Sequence, residues 1–229
     1  MALSDLEFLR RHIEAVWDVR VPPLASGDND LPPGPPAPPW SLHLSYLANG
    51  TVVRCWGWTV PQEARRVLLA RAEEALARPA SETVGPAITR EVILRREAEP
   101  RLSPAEAARL ARPFTVQDAT ALRASRIAAR LEPATAPQCG VVVDGEVMAL
   151  AHSSRRTAFA CELGVETVPH ARRSGYALAA TVLWAEAVRA EGLLPIYSAH
   201  LENAASLALA HAAGFRELAQ AAYIPGESE

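Results

Sequence analysis

Two carboxylates and a basic turn lie close together in this chain. Glu162 and Glu166 fall four apart in a stretch, 158–168, that reads as a strand, so both point to one face. An alkylamine has a pKa of about 10 and arrives protonated; a carboxylate beside it, directly or through water, can take that proton. The same pair also suits a solvated or ion-paired strand face that meets Arg155 or Arg156. The strand ends at Val168-Pro169, and Arg172, Arg173, Ser174, Gly175, Tyr176, Ala177 and Leu178 then cross a turn into a helix. The first N–H groups of a helix have no internal partner and the helix dipole is positive there, so this is chemistry for an anion. Gly175 and Ala177 leave room for a phosphate, and the two arginines add charge.

A second element follows the helix. Asn203 suits an N-cap, with Ser206 at the third helical position and Gly214 placed to stop the helix before Phe215. Capping alone accounts for Asn203 and Gly214.

Taken together, Val168-Pro169-x-x-Arg172-x-x-Gly175-x-Ala177, then a helix, a strand, Asn203-x-x-Ser206 and Gly214-Phe215, resemble the GCN5-related N-acetyltransferases over residues 139–217, and the likeness reaches back to about residue 86. The resemblance implies acetyl-CoA as co-substrate and transfer of its acetyl group to a primary amine. It implies that backbone groups of the strand at Val165 and Thr167 bond the pantetheine arm. The N–H groups from Arg173 to Leu178, with Arg172 beside them, would hold the pyrophosphate, and Asn203 and Ser206 would line the arm. The strands near 165 and 198 would splay apart to admit it. Glu162 or Glu166 would be the base or the amine-binding carboxylate. The chain departs from the family at two places. A tyrosine acid common in the family would fall at Ala210, and a glutamate seen in some members would fall at Ser198. Tyr223, His200, Tyr197, His211 and His152 are the available substitutes. The departures keep open a rival reading, a non-catalytic acyl-CoA-binding or interaction module of the same fold.

The elements that must position these residues are legible from periodicity. Leu6, Leu9, Ile13 and Val16 predict a helix over 4–18. Eight of the 19 prolines lie between Pro22 and Pro39, so a linker without regular structure is expected there. Residues 41–48 and 51–58 predict a hairpin about a type I′ turn at Asn49-Gly50, with Val52, Arg54, Trp56 and Trp58 on one face. A helix over 61–78 follows. From residue 86 the expected order is β-α-α-β-β-β-α-β-α-β, including a helix from Thr115 to about Arg130. This predicts an α/β fold of the α+β type: a mixed, mostly antiparallel sheet with helices on both faces, formed by residues 86–229 behind an N-terminal helix and hairpin extension, 1–80.

Composition bounds the rest. The 229 residues are 49% hydrophobic and carry a formal net charge of −3, enough for a core and too acidic for nucleic-acid binding by bulk electrostatics. No Ser-His-Asp order, P-loop or zinc spacing is present, so no metal is expected, and Cys55, Cys139 and Cys161 read as buried thiols. Arg10 and Arg11 interrupt the apolar start, which argues against a signal peptide, and no stretch reaches the length of a membrane span. The expected setting is cytoplasmic, without a membrane. The expected partner is a small amine or a protein N-terminus, and the chain could form a homodimer.

Overall fold

The computed structural model describes residues 3–82, 85, 88–115, 117–118 and 133–226. In chain order these form α1 (Asp5–Trp17), β1 (Gly27–Asp30), β2 (Trp40–Leu47), β3 (Val52–Trp56), α2 (Gln62–Ala77), β4 (Thr89–Arg96), α3 (Pro104–Ala107) and β5 (Arg112–Pro113). They continue as β6 (Gln138–Val143), β7 (Glu146–Arg156), β8 (Ala160–Thr167), α4 (Tyr176–Ala190), β9 (Leu194–His200), α5 (Ala204–Ala212) and β10 (Phe215–Pro225). The strands form a mixed sheet in the order β1-β3-β2-β10-β4-β9-β8-β7-β6-β5. β1 with β3 and β8 with β9 run parallel. β2 is antiparallel to β3 and β10, β6 to β5 and β7, and β8 to β7. Two compact units share these strands: Met1–Leu94 with Ser198–Leu207 and Glu217–Glu229, and Arg95–Tyr197 with Ala208–Arg216.

In the first unit the alternation of β2 sorts two faces. Leu42 and Leu44 pack with Trp56, Ala72, Ala222 and Ile224, the core under α2. His43 and Ser45 point the other way, where α1 brings His12 beside Glu91, the carboxylate that His43 also approaches. Ser4 caps α1 by accepting from the N–H of Glu7, and Phe8, Leu9, Ile13 and Val16 are its buried face. The sheet thus carries helices on both faces, as the sequence predicts.

Three local expectations for this unit need correction. The proline-rich stretch contains a strand, β1, whose Gly-Asp-Asn-Asp composition disfavours strands. Tertiary bonds hold it: it pairs along β3, Asp28 accepts from the indole N–H of Trp56 at 2.8 Å, and Asn29 Nδ2 donates to the carbonyl of Ala25 at 2.9 Å. The 49–50 turn is not type I′, because Gly50 has φ +86° while Asn49 is not among the positive-φ residues. Gly50 N–H donates to the carbonyl of Leu47 and Asn49 Oδ1 accepts from Thr51 N–H, the pattern of a longer loop with its left-handed residue at glycine. Finally, β3 ends at Trp56, so Trp58 lies beyond the strand and is 44% exposed.

In the second unit β6, β7 and β8 form a meander. Its first turn does take positive φ at both central residues, Asp144 and Gly145. α4 packs on the face that carries Ser153, whose Oγ accepts from the indole of Trp184 at 3.2 Å. Small residues on α4, Ala179, Ala180 and Ala185, bring it close to the sheet. A capping box at Ser103 and Glu106 opens α3. Thr115 N–H donates to Asp118, but the helix expected from there to Arg130 lies outside the described residues. At the end of α5, Gly214 has φ +87° and receives the N–H groups of Glu97 and Ala98 on its carbonyl. A side chain there would collide with the carbonyl oxygen of Ala98.

Candidate functional site

β8 is paired on one side along its length and on the other only at its start. Its antiparallel register with β7 runs from Arg156↔Cys161 to Ala149↔Thr167. Its parallel register with β9 covers Ala160↔Leu194, Cys161↔Pro195 and Glu162↔Ile196, and stops. Val168 N–H donates to the carbonyl of Met148, so 168, 166 and 164 turn their backbone groups toward β7. By alternation the N–H and C=O of Leu163, Val165 and Thr167 point to the opposite side, and beyond the last β9 pair, Glu162↔Ile196, the groups of Val165 and Thr167 meet no strand partner on β9. A short edge of open backbone donors and acceptors results, able to bond an extended chain as another strand would. Val165 and Thr167, expected for that purpose, lie on it.

The edge leads into the turn. Pro169–Ala171 forms one turn of 3₁₀ helix, and Arg172 N–H closes it on the carbonyl of Pro169 at 3.4 Å. Arg173 at φ +66° and Gly175 at φ +80° are both left-handed, which curls the backbone just ahead of α4. Glycine at 175 is required by that φ; there is open space around it, with nothing within 4 Å of where a Cβ would stand. The first intrahelical bond runs from Ala179 N–H to the carbonyl of Gly175 at 3.0 Å, so the N–H groups of Tyr176, Ala177 and Leu178 have no acceptor inside α4. No acidic residue occupies the first turn. Arg172, Arg173 and Ser174 are exposed. The second unit therefore gathers Val165, Thr167 and 172–178 at one strand end, in a cradle suited to an anion carried on an extended arm.

The carboxylates share the face opposite α4. Glu162 is buried at 6% exposure and is ion-paired: Arg155 Nη1 donates to its Oε2 at 2.6 Å and Ser154 Oγ at 3.2 Å. Of the two sequence readings of Glu162, this is the geometry of the ion-paired strand face. Glu166, opposite Leu150, is half-buried.

Asn203 and Ser206 belong to the first unit. Asn203 Oδ1 accepts from Ser206 N–H at 3.1 Å, the capping bond that the sequence predicts. Ala210 is fully buried, so the place of the family's tyrosine acid is a packing position here. Among the substitutes, His200 and His211 are exposed, Tyr197 is buried with its ring edge-on to Phe215, and Tyr223 stacks on His43.

Residues 138–222 match the model of a family described as GNAT acetyltransferase. The matched segment contains the open edge, the turn and the Asn203 cap. Solved structures with a similar fold include a protein described as a GNAT-family acetyltransferase from Novosphingobium aromaticivorans, at 21% identity, TM-score 0.48, and coverage of 65% of this chain and 72% of that one. Another is a GCN5-related N-acetyltransferase-like protein from Streptococcus suis, at 18% identity, TM-score 0.47, and coverage of 60% and 61%. A third is a GNAT-family acetyltransferase from Colwellia psychrerythraea, at 14% identity, TM-score 0.46, and coverage of 74% and 63%. The match spans less than two thirds of the latter two proteins, and no residue role follows from likeness at this level. No curated protein gives a significant match.

Two groups in the first unit carry no signal in residue spacing. Glu91 lies between His12 Nε2 at 3.4 Å and His43 Nε2 at 3.6 Å, brought together from β4, α1 and β2. Burial by itself would push the Glu91 carboxyl up, but the two imidazoles outweigh it and hold the group below the ordinary carboxylate range. Arg90, whose side chain is 0% exposed, donates to the carbonyls of Ala75, Arg78, Pro79 and Glu82 and to Glu202. Only the folded arrangement of α2, β4 and the turn at 201–203 identifies these roles.

Proposed function

We propose that this protein is an N-acetyltransferase that moves the acetyl group of acetyl-CoA to a primary amine, a small molecule or a protein N-terminus. The observation that carries the reading is the open edge of β8 running straight into a left-handed turn with free helix N–H groups. Acetyl-CoA has the matching parts in the same order: an extended amide-bearing arm, then a pyrophosphate. Backbone groups of Val165 and Thr167 bond the arm. N–H groups of Arg173 through Leu178 hold the pyrophosphate, and Arg172 and Arg173 add charge. With Glu162 paired to Arg155, Glu166 leaves the face net negative toward an incoming ammonium, and a backbone N–H of β8 stabilises the oxyanion. No helix among the described residues is long and apolar enough to cross a membrane, which accords with a cytoplasmic setting.

The experiment has two arms. Acetyl-CoA at millimolar concentration raises the melting temperature if it binds the folded chain. Free thiol release across a panel of amines then reports transfer. Gly175→Glu adds a negative side chain at a left-handed position in the turn and removes the melting shift; an undiminished shift in a folded variant refutes the placement. Binding with no thiol release on any amine supports the acyl-CoA-binding module instead.

A further inference from the structure

The geometry points to His152 as the catalytic base of this transfer, seated on β8 by the missing side chain of Gly164. The inference rests on the acetyl-CoA reading above and adds a residue that neither the family match nor the motif assigns. His152 stands on β7 directly opposite Gly164 and is 6% exposed. A Cβ built on Gly164 would lie 2.5 Å from its Nε2 and 2.6 Å from its Cε1, so the ring's nitrogen edge rests on the β8 backbone in the space a side chain would fill. Gly164 has neither positive φ nor a turn to explain it. The imidazole is the group for which glycine makes room.

Its position is the relevant one. Gly164 lies between Leu163, beside the last pair with β9, and Val165, the first residue of the open edge. Ser153 and Leu163 face α4, so His152, Glu162, Gly164 and Glu166 share the other face. The charged groups on that face are Glu162, Arg155 and Glu166. Glu162 Oε2 already accepts from Arg155 at 2.6 Å and from Ser154 at 3.2 Å, which ties this carboxylate to a cation. An imidazole takes and returns protons near neutral pH, the property the step requires.

In the step, the ammonium first gives one proton to solvent; the neutral amine nitrogen then bonds to the thioester carbon and loses a second proton to the His152 imidazole, directly or through one water. The tetrahedral intermediate collapses with cleavage of the carbon–sulfur bond. CoA leaves as thiolate, and the imidazolium returns its proton to sulfur or to solvent. The products are the acetylated amine and free CoA, with no other reactant.

The test follows the His152 imidazole resonances by NMR with and without acetyl-CoA, beside thiol release by His152→Gln and Gly164→Ala with amine or, in its absence, water as acceptor. The expected result is a ligand-dependent shift of those resonances. Both variants should lose turnover about 10²- to 10⁴-fold, with acetyl-CoA affinity kept within about threefold and the acidic limb of the kcat/KM profile lost in His152→Gln. If His152→Gln does not fold, Gly164→Ala, which displaces the ring and keeps it, carries the test. Failure of acetyl-CoA to raise the wild-type melting temperature overturns the acetyl-CoA reading and this inference with it. Normal binding with no thiol release to any acceptor overturns the transferase reading and this inference with it, whereas normal binding with unmoved resonances, or unchanged turnover in the variants, overturns the role of His152 alone.

Discussion

Replacing Arg90 by methionine should unfold the first unit's C-terminal end of α2 before anything else, and the magnitude can be worked from its contacts. The guanidinium donates to Ala75 at 3.1 Å, Arg78 at 2.9 Å, Pro79 at 3.2 Å and Glu82 at 2.6 Å, all carbonyls at or just past the end of the helix. Its Nε also donates to Glu202 at 2.8 Å. A helix end leaves carbonyls without partners and carries partial negative charge, so one buried cation satisfies both needs. Methionine fills similar volume and donates nothing. Removing one partner of a buried pair costs about 3–5 kcal/mol. The Glu202 side chain is 39% exposed and can return to water, which places the expectation at the lower end, about 3 kcal/mol. For a chain of this size, each kcal/mol lowers the melting temperature by about 2–4 °C, so Arg90→Met should melt about 6–12 °C below wild type. Glu202→Gln should cost under about 1 kcal/mol, because the four carbonyl bonds persist. Urea denaturation of the three proteins measures both effects. A loss below about 1 kcal/mol in Arg90→Met, or an equal loss in Glu202→Gln, would refute the capping argument.

Further outcomes follow from the same coordinates. Glu91→Gln should destabilise the fold by about 2–4 kcal/mol near neutral pH, and the gap should narrow as pH falls. The Glu91 carboxyl is held below its ordinary range, so its stabilisation is present above the unfolded-state pKa and lost as acid protonates it. Urea midpoints from pH 7 down to pH 3 test this, and a pH-independent gap contradicts it. Gly214→Ala should cost about 2–4 kcal/mol, because a left-handed residue acquires a Cβ against the Ala98 carbonyl; an unchanged thermal melt would show that the 97–100 segment moves aside freely. Burial pushes the thiols of Cys55 and Cys139 up to about 12, so neither should react with a thiol reagent at pH 8 until urea unfolds the chain. Reaction of either in the native protein, followed by absorbance and peptide mapping, would contradict their placement.

How far the residues alone reach can be read from particular positions. α1 to α5 and the strands from β6 to β10 follow from periodicity and caps, because Ser4, Ser103 and Asn203 act through bonds to groups three residues away. The Asp144-Gly145 turn is equally local. Asn49-Gly50 has the same residue types and takes another geometry, since the loop length between β2 and β3 decides which residue must be left-handed. β1 is invisible to propensity because β3 and the Trp56 indole hold it from outside.

The candidate site divides the same way. The sequence by itself determined the turn and helix start at 172–178 and the capped start of α5, because a helix terminus, its glycine and its neighbouring charges are set within one or two turns of chain. Only the tertiary structure decided where the β8 ladder stops, that Glu162 is tied to Arg155, that His152 lies on Gly164, and that His12, His43 and Glu91 meet. Those facts depend on strand register and on contacts between residues far apart in the chain. A one-residue shift of strand register would turn His43, Glu91, His152 and Glu162 to the other face.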